Sequence, residues 1–367
     1  MYTPRFSFTQ EIIGLLGRIE FVRGKLKDKK LPLHISSDLK QRARLKSTHY
    51  STAIEGNPLT FREVEGLIKK RPEATEDRYA QEVRNYWRAM AFLRVSKAMK
   101  ITVSEDFIKR LHRIIEVRGP GRRGKQSEYR GQTPPGILFC IRDSVTGEID
   151  YIPPAYDDVP VLMTGLVHWI DKAVDIPVPV KAAIAAYQLL TIHPFSDGNG
   201  RLARALSLYI LMVGDYDLNG YFSIEEYYFK DIQAYYGNLQ MGLPVEYYQG
   251  RNNADTTPWI TYFLKTMTEA FENIASSADR LHEATGGKLL ELSRKEIKLL
   301  ELALRFEGKP LSLETMANWF GVTKRTMQEW VKEWLTIQLL EPASGKQRIT
   351  SYVLGVKYRE LKFEDIF

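Results

Sequence analysis

Cysteine is nearly missing from this chain of 367 residues: Cys140 stands alone. No internal disulfide can form, which fits a reducing compartment, and the cytoplasm is the expected setting. Long apolar runs are lacking too. The most hydrophobic stretches, such as VKAAIAAYQLLTI, are too short or too interrupted to span a bilayer, so no membrane partner is expected. The opening MYTPRFSFTQ holds no apolar segment of the kind a secretory leader needs, and none is expected. Internal repeats and low-complexity tracts are absent. Four histidines, His49, His112, His168 and His282, lie in helical patterns without metal-ligand spacing, and core or surface roles are expected for each.

What is present belongs to an ordinary globular protein. Hydrophobic residues make up 44% and charged residues 26%, so packed cores are expected, and the length implies two or three domains. The formal net charge is +7. Basic residues are spread along the chain, with local clusters at Lys25–Lys30 and Gly121–Lys125. Such a balance admits a nucleotide or nucleic-acid partner without requiring one.

Apolar periodicity makes the fold mainly α. Helical spacing runs near Gln10–Lys25, Ser37–Ile54, Phe61–Lys69, Ala80–Met99, Ser104–Val117, Asp158–Val174, Val180–Ile192, Arg201–Val213, Glu225–Met241 and Pro258–Ala284. One region departs from it. Ile137–Arg142 and Glu148–Ile152 are short β-prone runs around Asp143-Ser-Val-Thr-Gly147, which reads as a β-hairpin. Thr285-Gly-Gly287 reads as a linker. Beyond it, helices at Ser293–Phe306, Ser312–Phe320 and Lys324–Leu335 precede a β-prone Arg348–Leu354. That is helix-turn-helix spacing with a wing, which predicts a C-terminal winged-helix (helix-turn-helix) domain. The expected division is 1–100, 101–284 and 288–367.

The chemistry concentrates in His193-Pro-Phe-Ser-Asp-Gly-Asn-Gly-Arg201-Leu-Ala-Arg204. Pro194 ends the helix that delivers His193 and leaves its imidazole at a rim. Gly198, Asn199 and Gly200 permit a tight turn that exposes successive amides at the start of the next helix. Free amides and the positive end of a helix dipole form an anion site. Arg201 and Arg204, three apart, can both face one polyphosphate. Asp197 beside these donors would be repelled by phosphate unless a cation bridged them, and Mg²⁺ is the natural bridge. Histidine is the usual general base near neutral pH. A plain glycine-rich turn would explain the glycines and the proline, but not the base, the carboxylate and two arginines together.

This segment resembles the signature of Fic-domain proteins, His-Pro-Phe-x-Asp/Glu-Gly-Asn-Gly-Arg-x-x-Arg, at every fixed position. The resemblance extends over roughly Ile101 to Ala275 and implies a Fic-type helical core with a β-hairpin flap. It implies transfer of AMP from ATP to a protein hydroxyl, with self-modification included. By the same resemblance His193 deprotonates the hydroxyl and Asp197 holds Mg²⁺. The Gly198–Gly200 amides and Asn199 face the α-phosphate, and Arg201 and Arg204 the outer phosphates. Ile137, Leu138 and Phe139 lie on the flap that docks the target chain, and Tyr236, after Tyr235, lies near the adenine. Relatives that transfer other groups leave the donor open.

Ser51-Thr-Ala-Ile-Glu55-Gly56-Asn57 resembles the inhibitory motif of the same family, Ser/Thr-x-x-x-Glu-Gly/Asn. Ser51 and Glu55 share a helix face, and Gly56 ends the helix. The resemblance pairs Glu55 with Arg204, blocking the γ-phosphate position; in some relatives the same glutamate supports removal of AMP. Gly119-Pro-Gly-Arg-Arg-Gly124-Lys125 imitates a P-loop, but Gln126 replaces the required Ser or Thr and a helix precedes it, which excludes that reading. The winged helix leaves DNA and a second copy of the chain open as partners. A DNA-binding regulator with a nucleotide-sensing core is therefore the competing function. On the recognition helix Lys324, Arg325 and Lys332 are offset by Glu329 and Glu333, while Lys346 and Arg348 would supply a basic wing.

Overall fold

The computed structural model describes residues 2–27, 33–71, 77–117, 128–142, 146–285, 292–343, 351–359 and 361. The P-loop-like 119–125, the turn residues 143–145, the linker glycines 286–287 and the wing residues Lys346 and Arg348 lie outside them. Two compact units emerge, Met1–Arg23 with Ala43–Ala270, and Gly24–Arg42 with Phe271–Phe367. The second unit thus takes a short stretch from near the start of the chain together with everything from Phe271 on, and helix α11 (Thr257–Thr285) runs through that point.

The first unit is helical, with most of α1 (Gln10–Lys27), the C-terminal half of α2 (Leu33–Ile54), α3 (Phe61–Lys69), α4 (Arg78–Ala98), α5 (Glu105–Ile115) and α6 (Val159–Lys172) preceding residues 193–204. Its centre is the pair α7 (Val178–Ile192) and α8 (Asn199–Val213), which pack against each other. Helices α4 and α5 lie on α8, and α6 lies on α7. Most of α7 and α8 is buried around the whole circumference, as expected of core helices rather than surface ones. Ala182, Ala183, Ala185 and Ala186 keep α7 slim, and Trp259 Nε1 donates to the Ala183 carbonyl at 2.8 Å. No helix among the described residues is long and apolar enough to cross a membrane.

Two local outcomes depart from the pattern reading. The expected helix 225–241 is broken into α9 (Glu225–Lys230) and α10 (Ile232–Gln240) at Asp231, whose carboxylate caps α10 by accepting from the Ala234 amide at 2.9 Å. The flap hairpin is shorter than its β-prone runs. Only β1 (Ile141–Arg142) and β2 (Ile149–Tyr151) pair, antiparallel, while 137–140 stay outside the ladder. The base of the flap is anchored by Ile152, whose amide donates to Val245 at 3.0 Å and whose carbonyl accepts from Tyr247 at 3.0 Å.

The second unit holds α12 (Arg294–Arg305), α13 (Leu313–Phe320), α14 (Lys324–Thr336) and the strands β3 (Leu311–Ser312), β4 (Leu340–Pro342) and β5 (Ser351–Leu354). The strands form an antiparallel sheet in the order β3-β5-β4. Leu299, Leu300, Met316, Met327, Trp334, Leu339 and Leu340 fill its core. Ser312 and Thr323 cap α13 and α14, and Gly321 supplies the left-handed turn between them at φ +66°. On α14, Lys324, Arg325, Glu329, Lys332 and Glu333 are all exposed, and Lys324 pairs with Glu314 at 3.0 Å.

Candidate active site

Helix α7 ends at His193, which adopts a left-handed conformation at φ 50°, ψ 59° while its amide still donates to the Leu189 carbonyl. Such a conformation is sparsely populated outside glycine and recurs where a side chain is held for a purpose. Burial pushes the imidazole down to about 4; a hydrogen bond at Leu190 and the Glu55 and Asp197 carboxylates oppose that, and the Arg130 cation adds to it. The side chain is therefore a neutral proton acceptor at physiological pH.

After Pro194 the chain turns sharply. Phe195, 1% exposed, stacks on His112 with ring centres 3.7 Å apart, and His112 Nε2 lies 2.9 Å from the Asp197 carbonyl. Asn199 closes the turn: its Oδ1 accepts from the Phe195 amide at 3.0 Å and its Nδ2 donates to the Phe195 carbonyl at 2.8 Å. Its amide group thus shapes the loop. Gly198 takes φ +79° at the start of α8, and no side chain caps that helix. The first amides of α8 are left for an anion.

Both arginines of the segment are buried, yet they face different partners. Arg204, 3% exposed, is held by α2: Nε donates to Ser51 Oγ at 2.9 Å, and Nη2 donates to the Ser51 carbonyl and to Glu55 Oε1, each at 2.8 Å. Burial alone would pull this guanidinium down, but Glu55 and the phenols of Tyr235, Tyr86 and Tyr236 outweigh it and raise it. Arg201, 2% exposed, reaches Asp197 Oδ1 at 3.4 Å and lies 3.8 Å from Glu82. Its Nε and Nη1 are buried with no hydrogen-bond partner among the described residues. Asp197 Oδ1 also accepts from the Gly198 amide, while Oδ2 faces Arg78 at 3.3 Å.

Glu55 enters this cradle directly. A methyl group placed on Gly200 would come within 2.1 Å of Glu55 Oε1, so the carboxylate rests on the backbone at the start of α8. It is itself an anion in the anion site. Helix α2 delivers it through a Schellman end: Gly56, at φ +85°, donates to Ala53 and Asn57 to Thr52. Asn57 then donates to Tyr79 and to Glu82, each at 3.0 Å, which ties the motif to α4.

The remaining sequence candidates sit around this centre. Tyr235 is buried against Trp259 and Tyr228, with its hydroxyl 3.4 Å from Arg204. Tyr236 is half-exposed and donates to the Ile54 carbonyl at 3.1 Å, at the end of α2. On the flap, Ile137 and Leu138 are exposed, while the Phe139 ring lies 6.1 Å from the His193 imidazole. Pattern reading missed Arg78, Glu82 and Arg130, which arrive from other segments. It placed His112 in a helix without assigning it to the loop. No cluster of three or more His, Cys, Asp or Glu side chains occurs among the described residues.

A histidine at a helix end, an uncapped helix start and two buried arginines together present donors to an anion. Residues 102–211 match the Fic/DOC family, and the chain accordingly contains a Fic domain. It is 28% identical over 183 residues to the protein adenylyltransferase Fic of Drosophila virilis, a match covering 48% of this chain and 34% of that one. With the protein of that name from Nematostella vectensis it shares 26% over 236 residues, covering 62% and 48%. The chain thus spans about a third to a half of the length of these relatives. A crystal structure of a Fic family protein from Desulfovibrio desulfuricans G20 shares its fold, with a TM-score of 0.64 at 22% identity over 97% of this chain and 99% of that one.

Proposed function

We propose that the chain is a protein adenylyltransferase held at rest by Glu55, moving AMP from ATP to a Ser, Thr or Tyr hydroxyl of a protein, itself included. The observation that carries this reading is the Glu55 carboxylate lying on Gly200 and paired with Arg204, an internal anion in a cradle fit for phosphate. When ATP displaces it, Arg204 turns to the γ-phosphate, and Nε and Nη1 of Arg201, which make no hydrogen bond among the described residues, meet the neighbouring phosphate oxygens. His193 takes the proton of the target hydroxyl as its oxygen bonds to the α-phosphorus, and the bond to pyrophosphate breaks. The helix start and the arginines hold the charge that develops.

Asp197 fits a Mg²⁺ role. Magnesium on nucleotides is usually held by one or two carboxylates together with phosphate oxygens, so a single, partly exposed Asp suits it better than a dense cluster. The ion would neutralise phosphate charge when bound. The exposed Ile137 and Leu138 offer apolar side chains to a target segment laid along the flap as an added strand. Glu55 also lies near enough to His193 for its charge to act on the imidazole. In hydrolytic removal of AMP, Glu55 would take a proton from water as its oxygen bonds to the phosphorus, and the bond to the side-chain oxygen would break as that oxygen gains a proton delivered through His193, releasing AMP. The C-terminal unit we read as a winged-helix module, with cytoplasmic placement for the whole.

Incubation with ATP labelled on the α- or the γ-phosphate tests the reading, with Glu55→Gly beside the wild type. Only the α label should enter protein, and more of it in the variant. Incorporation of the γ label, or none of either, contradicts transfer of AMP.

A further inference from the structure

Arg130 lies outside the twelve-residue segment and outside the inhibitory motif, yet it binds three pieces of the site together. Its Nε donates to the His193 carbonyl at 2.8 Å and its Nη2 to the Pro154 carbonyl at 2.5 Å. Its own amide donates to the Pro194 carbonyl at 2.8 Å. The side chain is 7% exposed in the folded chain. Its guanidinium lies over the Phe139 ring at 4.7 Å, and that same ring faces the His193 imidazole. One side chain therefore touches the left-handed catalytic residue, the segment leaving the flap, and the flap aromatic.

We propose that Arg130 is a positioning residue for transfer: it fixes the left-handed backbone of His193 and carries Phe139 on its face, coupling the flap to the aim of the base. The proposal rests on His193 being the base. The physical argument is one of over-determination. A non-glycine residue holds a left-handed conformation only where its surroundings enforce it, and here the enforcing contacts are the two backbone bonds at His193 and Pro194. A planar guanidinium can satisfy two carbonyls and offer a face to an aromatic ring at once. A lysine ammonium, a single point donor, cannot do all three. Transfer requires the imidazole to meet a hydroxyl held on the flap, so an error of about 1 Å in their relation costs roughly a hundredfold in rate. The phosphate cradle is built from α2, α8 and Asp197, none of which Arg130 touches directly, so ATP binding should be independent of it.

The test uses the full chain carrying Glu55→Gly, which frees the cradle. Arg130→Lys is expected to lower kcat by at least about tenfold while half-saturating ATP stays within about twofold. Phe139→Leu, on the partly exposed flap, is expected to lower kcat with the same unchanged ATP dependence, and to be less than additive with Arg130→Lys. A parent-like kcat in Arg130→Lys, or equal losses in kcat and ATP affinity, overturns the proposal. Should Arg130→Lys not fold, by circular dichroism and ATP titration, Phe139→Leu decides: an unchanged kcat overturns the coupling. An inactive Glu55→Gly parent overturns the transferase reading and the coupling with it, whereas an active parent unaffected by either variant overturns the coupling alone.

Discussion

At the scale of single residues the controlling quantity, on the proposed reading, is the proton affinity of His193. Burial drives it down to about 4, and the Glu55 carboxylate is among the groups that push it back up. Removing Glu55 therefore moves it further down. A histidine with a depressed pKa stays neutral, and able to accept a proton, at every pH above that value, and is switched off only when the pH falls through it. Transfer by Glu55→Gly should accordingly be flat from about pH 8 to about pH 6, with its acid limb well below the ordinary histidine value of about 6.5. A rate–pH profile measured at saturating ATP checks this, and a limb centred near 6.5 would place His193 in water rather than in the pocket described. His112 shows a related effect of burial, which lowers its pKa and favours the neutral ring stacked on Phe195.

Among the elements, α2 would work as a latch on the proposed reading, because two of its residues and Glu55, just past its end, fall on one stripe. Ser47 donates to the buried Glu225 at 3.0 Å, Ser51 receives Arg204, and Glu55 closes on the same arginine, at intervals of four residues. Ser51→Ala would leave Arg204 Nε without its acceptor while the backbone bond to residue 51 persists. A lost hydrogen bond to a charged group amounts to about 1.5–3 kcal/mol, so basal transfer should rise roughly tenfold or more, and by less than in Glu55→Gly. Labelled-ATP incorporation by the two single variants checks it; a Ser51→Ala protein as quiet as the wild type removes Ser51 from the latch. The ends of α7 and α8 were legible in the sequence because Pro194 and Gly198 punctuate them, and Gly56 announced the end of α2 in the same way. Arg78, Glu82 and Arg130 were not legible, since their roles depend on contacts 63 to 119 positions away that no local pattern encodes. The break at Asp231 was missed for another reason: a capping carboxylate overrode an apolar period that runs on through it. The strands β3 and β4 have two and three residues, too few for an alternation to register.

At the scale of the molecule, a cradle at the start of α8 meets, on the proposed reading, a lock carried by Glu55 at the end of α2, two sites separated by 149 residues at their point of contact. The signature at 193–204 made the cradle readable, and the motif at 51–57 made the lock readable, but only the folded chain shows the carboxylate resting on Gly200. On the proposed reading Arg204 then has two duties, holding Glu55 at rest and clamping phosphate at work. Glu55→Gly frees it, whereas Arg204→Ala opens the lock and loses the clamp together. The most direct measurement is incorporation of α-labelled ATP by the wild type, Glu55→Gly, Arg204→Ala and the double variant, side by side. Glu55→Gly should gain roughly ten- to a hundredfold, as expected for loss of a charged hydrogen bond, and the double variant should match Arg204→Ala at or below the wild type. A double variant as active as Glu55→Gly, or a Glu55→Gly no more active than the wild type, would contradict the account.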